Sequence, residues 1–140
     1  QSHIELAFFI PLIAAMGGNV GVQSAAIIVQ GLASNSLGMD TISQRLVKEL
    51  GVALLNGLIC SSLIMLITFM IGYPSSISFT VSISLMAVII FAALFGTFVP
   101  LILDRYKIDP ALATGPFITT VNDVLGLFIY FRIGKLFLDL

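Results

Sequence analysis

The chain has 140 residues, 59% of them hydrophobic and only 9% charged, with a formal net charge of −1. Soluble domains carry about 25% charged residues, so this composition excludes an ordinary soluble globule and describes an integral membrane protein. The near-neutral balance leaves no electrostatic footprint for nucleic acid. The one cysteine, Cys60, sits in an apolar segment with no partner for an intrachain disulfide.

The chain opens at Gln1 without a basic n-region, so no signal peptide is read there, and the opening reads as that of a piece of a longer protein. Four apolar segments follow, at 4–33, 47–72, 81–103 and 111–138. Each exceeds the ~20 residues that span a ~30 Å hydrocarbon core. Backbone in lipid must satisfy itself, and no alternating barrel pattern of ~10 residues occurs, so the segments are expected to be helices. The expected fold is an all-α, polytopic transmembrane bundle, one domain over 1–140 with four spans and no soluble domain.

In the first segment Pro11, Gly17, Gly18 and Gly21 interrupt the apolar run, which predicts a kink or a short unwound turn. Asn19, Gln23, Ala26 and Gln30 form one stripe on a continuous helix, and Gly17 and Gly21 form a close-packing face opposite. Residues 34–46 read as a loop or a short interfacial helix. In the second segment Gly57 and Ser61 are one turn apart, as in a packing face, and Gly72-Tyr73-Pro74 is a turn. The third segment ends on Ala92, Gly96 and Pro100, again a small-residue face. A charged loop at 104–109 leads to Pro110, where the last helix is expected to start.

Within 110–131 the only charge is Asp123, near mid-span. A bare carboxylate there costs roughly 2.5–3.5 kcal/mol on insertion scales, so such acids mark function by default. At ~100° per residue, Gly115, Pro116, Thr119, Asn122, Asp123, Gly126 and Tyr130 fall within about 120° of arc. That stripe is a candidate wall of a hydrated path. Asn19 and Gln23 are expected in the bundle interior, facing that path or satisfying carbonyls freed by the glycine break. Tyr130 reads as an interfacial anchor or mouth residue. His3, Glu5 and Asp139, at segment ends, read as solvated or headgroup-facing. Arg45, Lys48, Arg105 and Lys107 against Arg132 and Lys135 place the 34–46 and 104–110 loops in the cytoplasm of a multi-pass cell-membrane protein. No residue spacing suggests a catalytic zinc or a nucleophile triad, so no enzyme is read. The residues alone leave open a channel, a proton- or sodium-coupled divalent-cation carrier with Asp123 as relay, and a non-transporting assembly subunit.

Two long stretches, PLIAAMGGNVGVQSAAIIVQGLA (11–33) and DPALATGPFITTVNDVLGLFIYF (109–131), resemble the signature segments of the MgtE family of magnesium transporters. The resemblance covers essentially the whole chain. It implies a five-helix pore domain of which this sequence holds the second to fifth helices. A first helix and the family's Mg²⁺-sensing cytoplasmic domains would lie outside it. It further implies a homodimeric, Mg²⁺-selective channel in membrane lipid, with its pore along the subunit interface and lined by the 4–33 and 111–138 helices. The family's ion-binding aspartate matches Asp123. The groups one and two turns earlier that help to hold the hydrated Mg²⁺ match Thr119 and Gly115, as backbone roles. Asn19, Gln23, Ala26, Gln30, Asn122 and Gly126 would line the pore, Gln30 standing where an arginine is common in the family.

Overall fold

The computed structural model describes residues 4–138, so the expectations for His3 and Asp139 lie outside the described residues. Every regular element in it is helical. A four-residue helix α1 (Ile4–Ala7) precedes α2 (Ile10–Ala33), α3 (Ile42–Ile71) and α4 (Ser75–Arg105). A 3-10 turn, Pro110–Ala113, then leads into α5 (Pro116–Leu138). Four stretches are long and apolar enough to cross a membrane: Ile4–Ala33, Ile42–Ile71, Ser75–Arg105 and Pro110–Leu138. The fold is the expected all-α bundle of four spans.

The break in the first span lies earlier than the glycines suggest. It falls at Phe8–Phe9, and α2 runs unbroken through Gly17, Gly18 and Gly21. Pro11 is the physical reason. It has no N–H to bond back to residue 7, and it fits the first turn of a helix, so the helix starts beside it. The broken backbone is satisfied by protein. Leu6 O accepts from Phe9 N at 3.1 Å and from the Tyr130 hydroxyl at 2.8 Å. Tyr130 is therefore an interior residue, 1% exposed, and the reading of it as an interfacial anchor is corrected. Glu5 is also corrected from a solvated group: it is half-buried, with one carboxylate oxygen shielded from the surface. The turn at Phe8–Phe9 folds this end of the chain onto the bundle, where Leu6 and Phe9 join the core.

Helix α3 begins at Ile42 rather than 47, because Thr41 and Gln44 form a reciprocal capping box. It ends at Gly72 in the left-handed conformation, φ 96°, with Tyr73 N–H donating to Thr68 O. Helix α4 starts at Ser75, well before the expected 81. Hydroxyls there bond back along their own helix, Thr80 to Ser76 O and Ser82 to Ser78 O, both at 2.7 Å, so a serine-rich stretch stays helical in apolar surroundings.

The last span also departs from expectation. It is two pieces rather than one helix over 111–138. Asp109 Oδ1 caps the 3-10 turn by accepting from Ala111 N, Thr114 is extended, and Gly115 takes φ +57° before α5 starts at Pro116. The residue before a proline is steered away from helical geometry, and glycine alone adopts a positive φ without strain.

Helix α4 is the hub, packed against α2, α3, α5 and the 3-10 turn. Its Val81, Leu85, Val88 and Ala92 build the core with Ile13 and Tyr130. Helix α3 packs chiefly on α4, where Gly57 meets Met86, and most of its apolar surface is bare. At the centre helices meet at backbone distance: a Cβ on Gly96 would lie 2.3 Å from Gly21 O.

Gly96→Ala is accordingly expected to cost about 1–3 kcal/mol or more, since backbone cannot yield as a side chain can; melting in detergent at the wild-type temperature would contradict the contact. Tyr130→Phe is expected to cost about 1 kcal/mol and to speed amide hydrogen exchange around Leu6 and Phe9.

Candidate functional site

The two polar stripes fall differently on the bundle. The inner face of α2 is Gly17, Gly18, Gly21, Ser24, Ala25 and Ile28, all buried. Its outer face carries Asn19, Gln23, Ala26 and Gln30, all exposed. The expectation that Asn19 and Gln23 face the bundle interior is thus corrected. Three glycines let α4 and α5 close directly onto the backbone of α2, which leaves the amides on the other side.

The α5 stripe divides in two. Ile118, Asn122, Gly126, Tyr130 and Gly134 recur every fourth residue and are buried against the bundle. Asn122 is 1% exposed, and Gly126 faces Val88, so neither lines an open path in this arrangement. Gly115, Thr119 and Asp123 lie at the margin, half-exposed. The interior takes the residues at strict i+4 spacing because α5 packs on α2 and α4 along that line.

Between the outer face of α2 and the start of α5 runs an open groove of about 670 Å³. Asn19, Gln23 and Ala26 line it from α2, and Gly115, Thr119 and Thr120 from the other wall. Thr119 and Gly115 are joined, since the Thr119 hydroxyl and its N–H both donate to Gly115 O at 3.1 Å. The Asp123 carboxylate is seated beside this wall over Gly18. A Cβ on Gly18 would lie 3.1 Å from Asp123 Oδ1 and 3.3 Å from the Thr119 methyl. The structure therefore brings Asn19, Gln23, Ala26, Gly115 and Thr119 to one groove, with Asp123 next to it. Gln30 is exposed further along α2 and is not among the lining residues.

Two contributors escape the sequence reading. Thr120 lines the groove, although it falls outside the polar arc of the wheel; its pairing with Thr119 at the start of a helix is the available signal. On the far side of α2, Ser24 Oγ donates to Glu49 Oε1 of α3 at 2.9 Å and ties those two helices together. No spacing within one helix reveals that bond. Among the described residues, no three His, Cys, Asp or Glu side chains converge on a point. The donors that do converge at the groove are oxygens and amides, with one carboxylate beside them.

Comparison with known proteins gives a consistent result. A family model described as "MgtE: Divalent cation transporter" matches residues 10–133. The chain is 38% identical over 135 residues to the magnesium transporter MgtE of Bacillus subtilis, covering 96% of the chain and 30% of that protein. It is 38% identical over 139 residues to the magnesium transporter MgtE of Thermus thermophilus, covering 99% of the chain and 31% of that protein. A third relative, the magnesium transporter MgtE of Enterococcus faecalis, is 32% identical over 133 residues, 95% of the chain and 29% of its own length. The chain thus spans about 30% of the length of the relatives it matches.

The seat of Asp123 over Gly18 is open to a direct check. A methyl in Gly18→Ala would meet both the carboxylate and the Thr119 methyl, and the carboxylate would have to move outward by a few tenths of an ångström. Labelling of Asp123 by a water-soluble carbodiimide is expected to rise; unchanged labelling would mean that the carboxylate does not rest there.

Proposed function

Because the chain belongs to the MgtE family of divalent cation transporters, we propose that it is the pore-forming part of a magnesium channel, built as a homodimer around a path for the hydrated ion. Asp123 is the ion's charged contact. Thr119 and Gly115 offer oxygens along the same wall, and Asn19 and Gln23 offer amides across the groove. All 140 residues belong to this one pore domain, which sits in the cell membrane with the 34–46 and 104–110 loops in the cytoplasm.

The observation that carries this reading is the direction in which the groove opens. Its polar lining faces away from the chain's own core, on the exposed faces of α2 and α5. In hydrocarbon an exposed strip of amides is costly, and a second copy laid against it covers the strip and closes the groove into a channel. Two-fold symmetry then presents Asp123 twice. Two nearby carboxylates repel unless a cation or a proton lies between them, which makes the pair a cation site. Mg²⁺ holds its waters tightly and is suited by one or two carboxylates with carbonyl and amide oxygens reached through water. The half-exposed seat of Asp123 supports contact through water. A monovalent ion gains less from the paired charge and holds a looser shell, so it passes poorly.

The full-length protein containing this chain, reconstituted in liposomes, tests the reading. Asp123→Asn is expected to lower Mg²⁺ uptake at least tenfold with the protein folded and dimeric. Wild-type uptake in that variant would remove Asp123 from the mechanism. Wild-type uptake that stops when proton and sodium gradients are collapsed would make the protein a coupled carrier.

A further inference from the structure

Next to Asp123 in sequence, and 1% exposed, is a side chain that the pore reading leaves unused. Asn122 carries its amide into the three-helix contact, where neither Nδ2 nor Oδ1 has a hydrogen-bond partner. It is pressed onto Gly21. A Cβ on that glycine would lie 1.8 Å from Asn122 Nδ2 and 3.1 Å from the Ile118 side chain. Only glycine at position 21 admits the amide, and the fit leaves both of its ends without a hydrogen bond. Ser78, Ser84 and Thr97 also hold buried unbonded hydroxyls, but each belongs to a helix whose own carbonyls a hydroxyl reaches by turning about χ1. The two-ended amide of Asn122 has no such outlet, and leaving it unpaired opposes the packing of α5 on α2.

A break in the helical path lies two turns away. Thr114 is extended and Gly115 has φ +57°, so α5 is uncoupled from the helical path of the 3-10 turn before it. The groove lined by Asn19, Gln23, Gly115 and Thr119 lies between α2 and that same end of α5.

We propose that Asn122 is a positioning residue that makes the α2–α5 contact reversible. Its amide is unpaired while α5 lies on Gly21, and it gains water or polar partners when α5 swings away about Gly115. The packed arrangement is thereby kept only slightly more stable than an opened one, and opening widens the groove beside Asp123. An apolar residue at 122 would favour the packed arrangement without altering the carboxylate. The transport half of this inference rests on the pore reading; the stability half does not.

The test uses full-length protein with Asn122→Leu, close to asparagine in shape, and Asn122→Ala, which carries no branch to meet Gly21 if leucine prevents folding. The variant that folds is expected to melt at a higher temperature than wild type, with maximal Mg²⁺ flux reduced at least fivefold and the half-saturating Mg²⁺ concentration unchanged. A variant that melts at or below the wild-type temperature, or that conducts at the wild-type rate, overturns the inference. A shift in half-saturation with unchanged maximal flux also overturns it, by making Asn122 part of the ion contact. Failure of the pore reading is separate and visible as normal uptake in Asp123→Asn, a variant that leaves Asn122 in place.

Discussion

The arrangement depends on the absence of side chains at one crossing. Gly21 and Gly96 bring α2 and α4 to backbone distance, while Gly17 admits the α5 backbone at Asn122 O and Gly18 and Gly21 admit the α5 side chains Asp123 and Asn122. Lipid tails are as apolar as leucine, so helices in a membrane gain little from hiding hydrophobic surface and much from close van der Waals contact. Three glycines on one side of α2 therefore decide which side is inside. Once that face is taken, Asn19, Gln23, Ala26 and Gln30 must look outward, and the site forms on the exterior of the single chain.

A second constraint, the need to satisfy every backbone group in hydrocarbon, decides where the spans break. Both breaks fall just ahead of a proline, at Phe8–Phe9 before Pro11 and at Thr114–Gly115 before Pro116. Both are mended by side chains: Tyr130 on Leu6 O in one case, Asp109 on Ala111 N and Thr114 on Ala111 O in the other. The first mend links residues 124 positions apart, so α5 holds the start of the chain in place. The second leaves Gly115 O free to accept from Thr119, which sets the wall of the groove.

Much of this is legible in residue order. Apolar length gives the four spans, and the small-residue faces at Gly57, Ala92 and Gly96 are buried as their spacing implies. The opposition of glycine and amide faces on α2 follows from the helical period alone. Residue order does not reveal which face is covered, because a polar stripe looks the same whether it faces a bundle core or a partner. The α5 stripe is narrower than the wheel suggests for a related reason: Asn122 and Asp123 share one arc, and only the crossing with α2 separates a buried amide from a half-exposed carboxylate. Glycines in α2 look like breakpoints in the sequence and are contact points in the fold; in a membrane the second use is available wherever another backbone lies alongside. The early starts of α3 and α4 turn on hydroxyl chemistry, a capping box at Thr41 and a back-bonded Thr80, in stretches that composition describes as loop.

Helix α3 carries a consequence of its own. Its 30 residues amount to about 45 Å at the usual rise, half as long again as the ~30 Å hydrocarbon layer. It packs on α4 along the most extensive helix contact of the bundle and is tied to α2 through Ser24 and Glu49, while most of its apolar surface is left to lipid. A span longer than the layer is accommodated by tilting, kinking or local thickening of the bilayer, at fractions of a kcal/mol per ångström. Ser24 and Glu49 join that overlong helix to the one whose opposite face carries Asn19 and Gln23. The span most open to lipid is thus bonded directly to a helix that walls the groove.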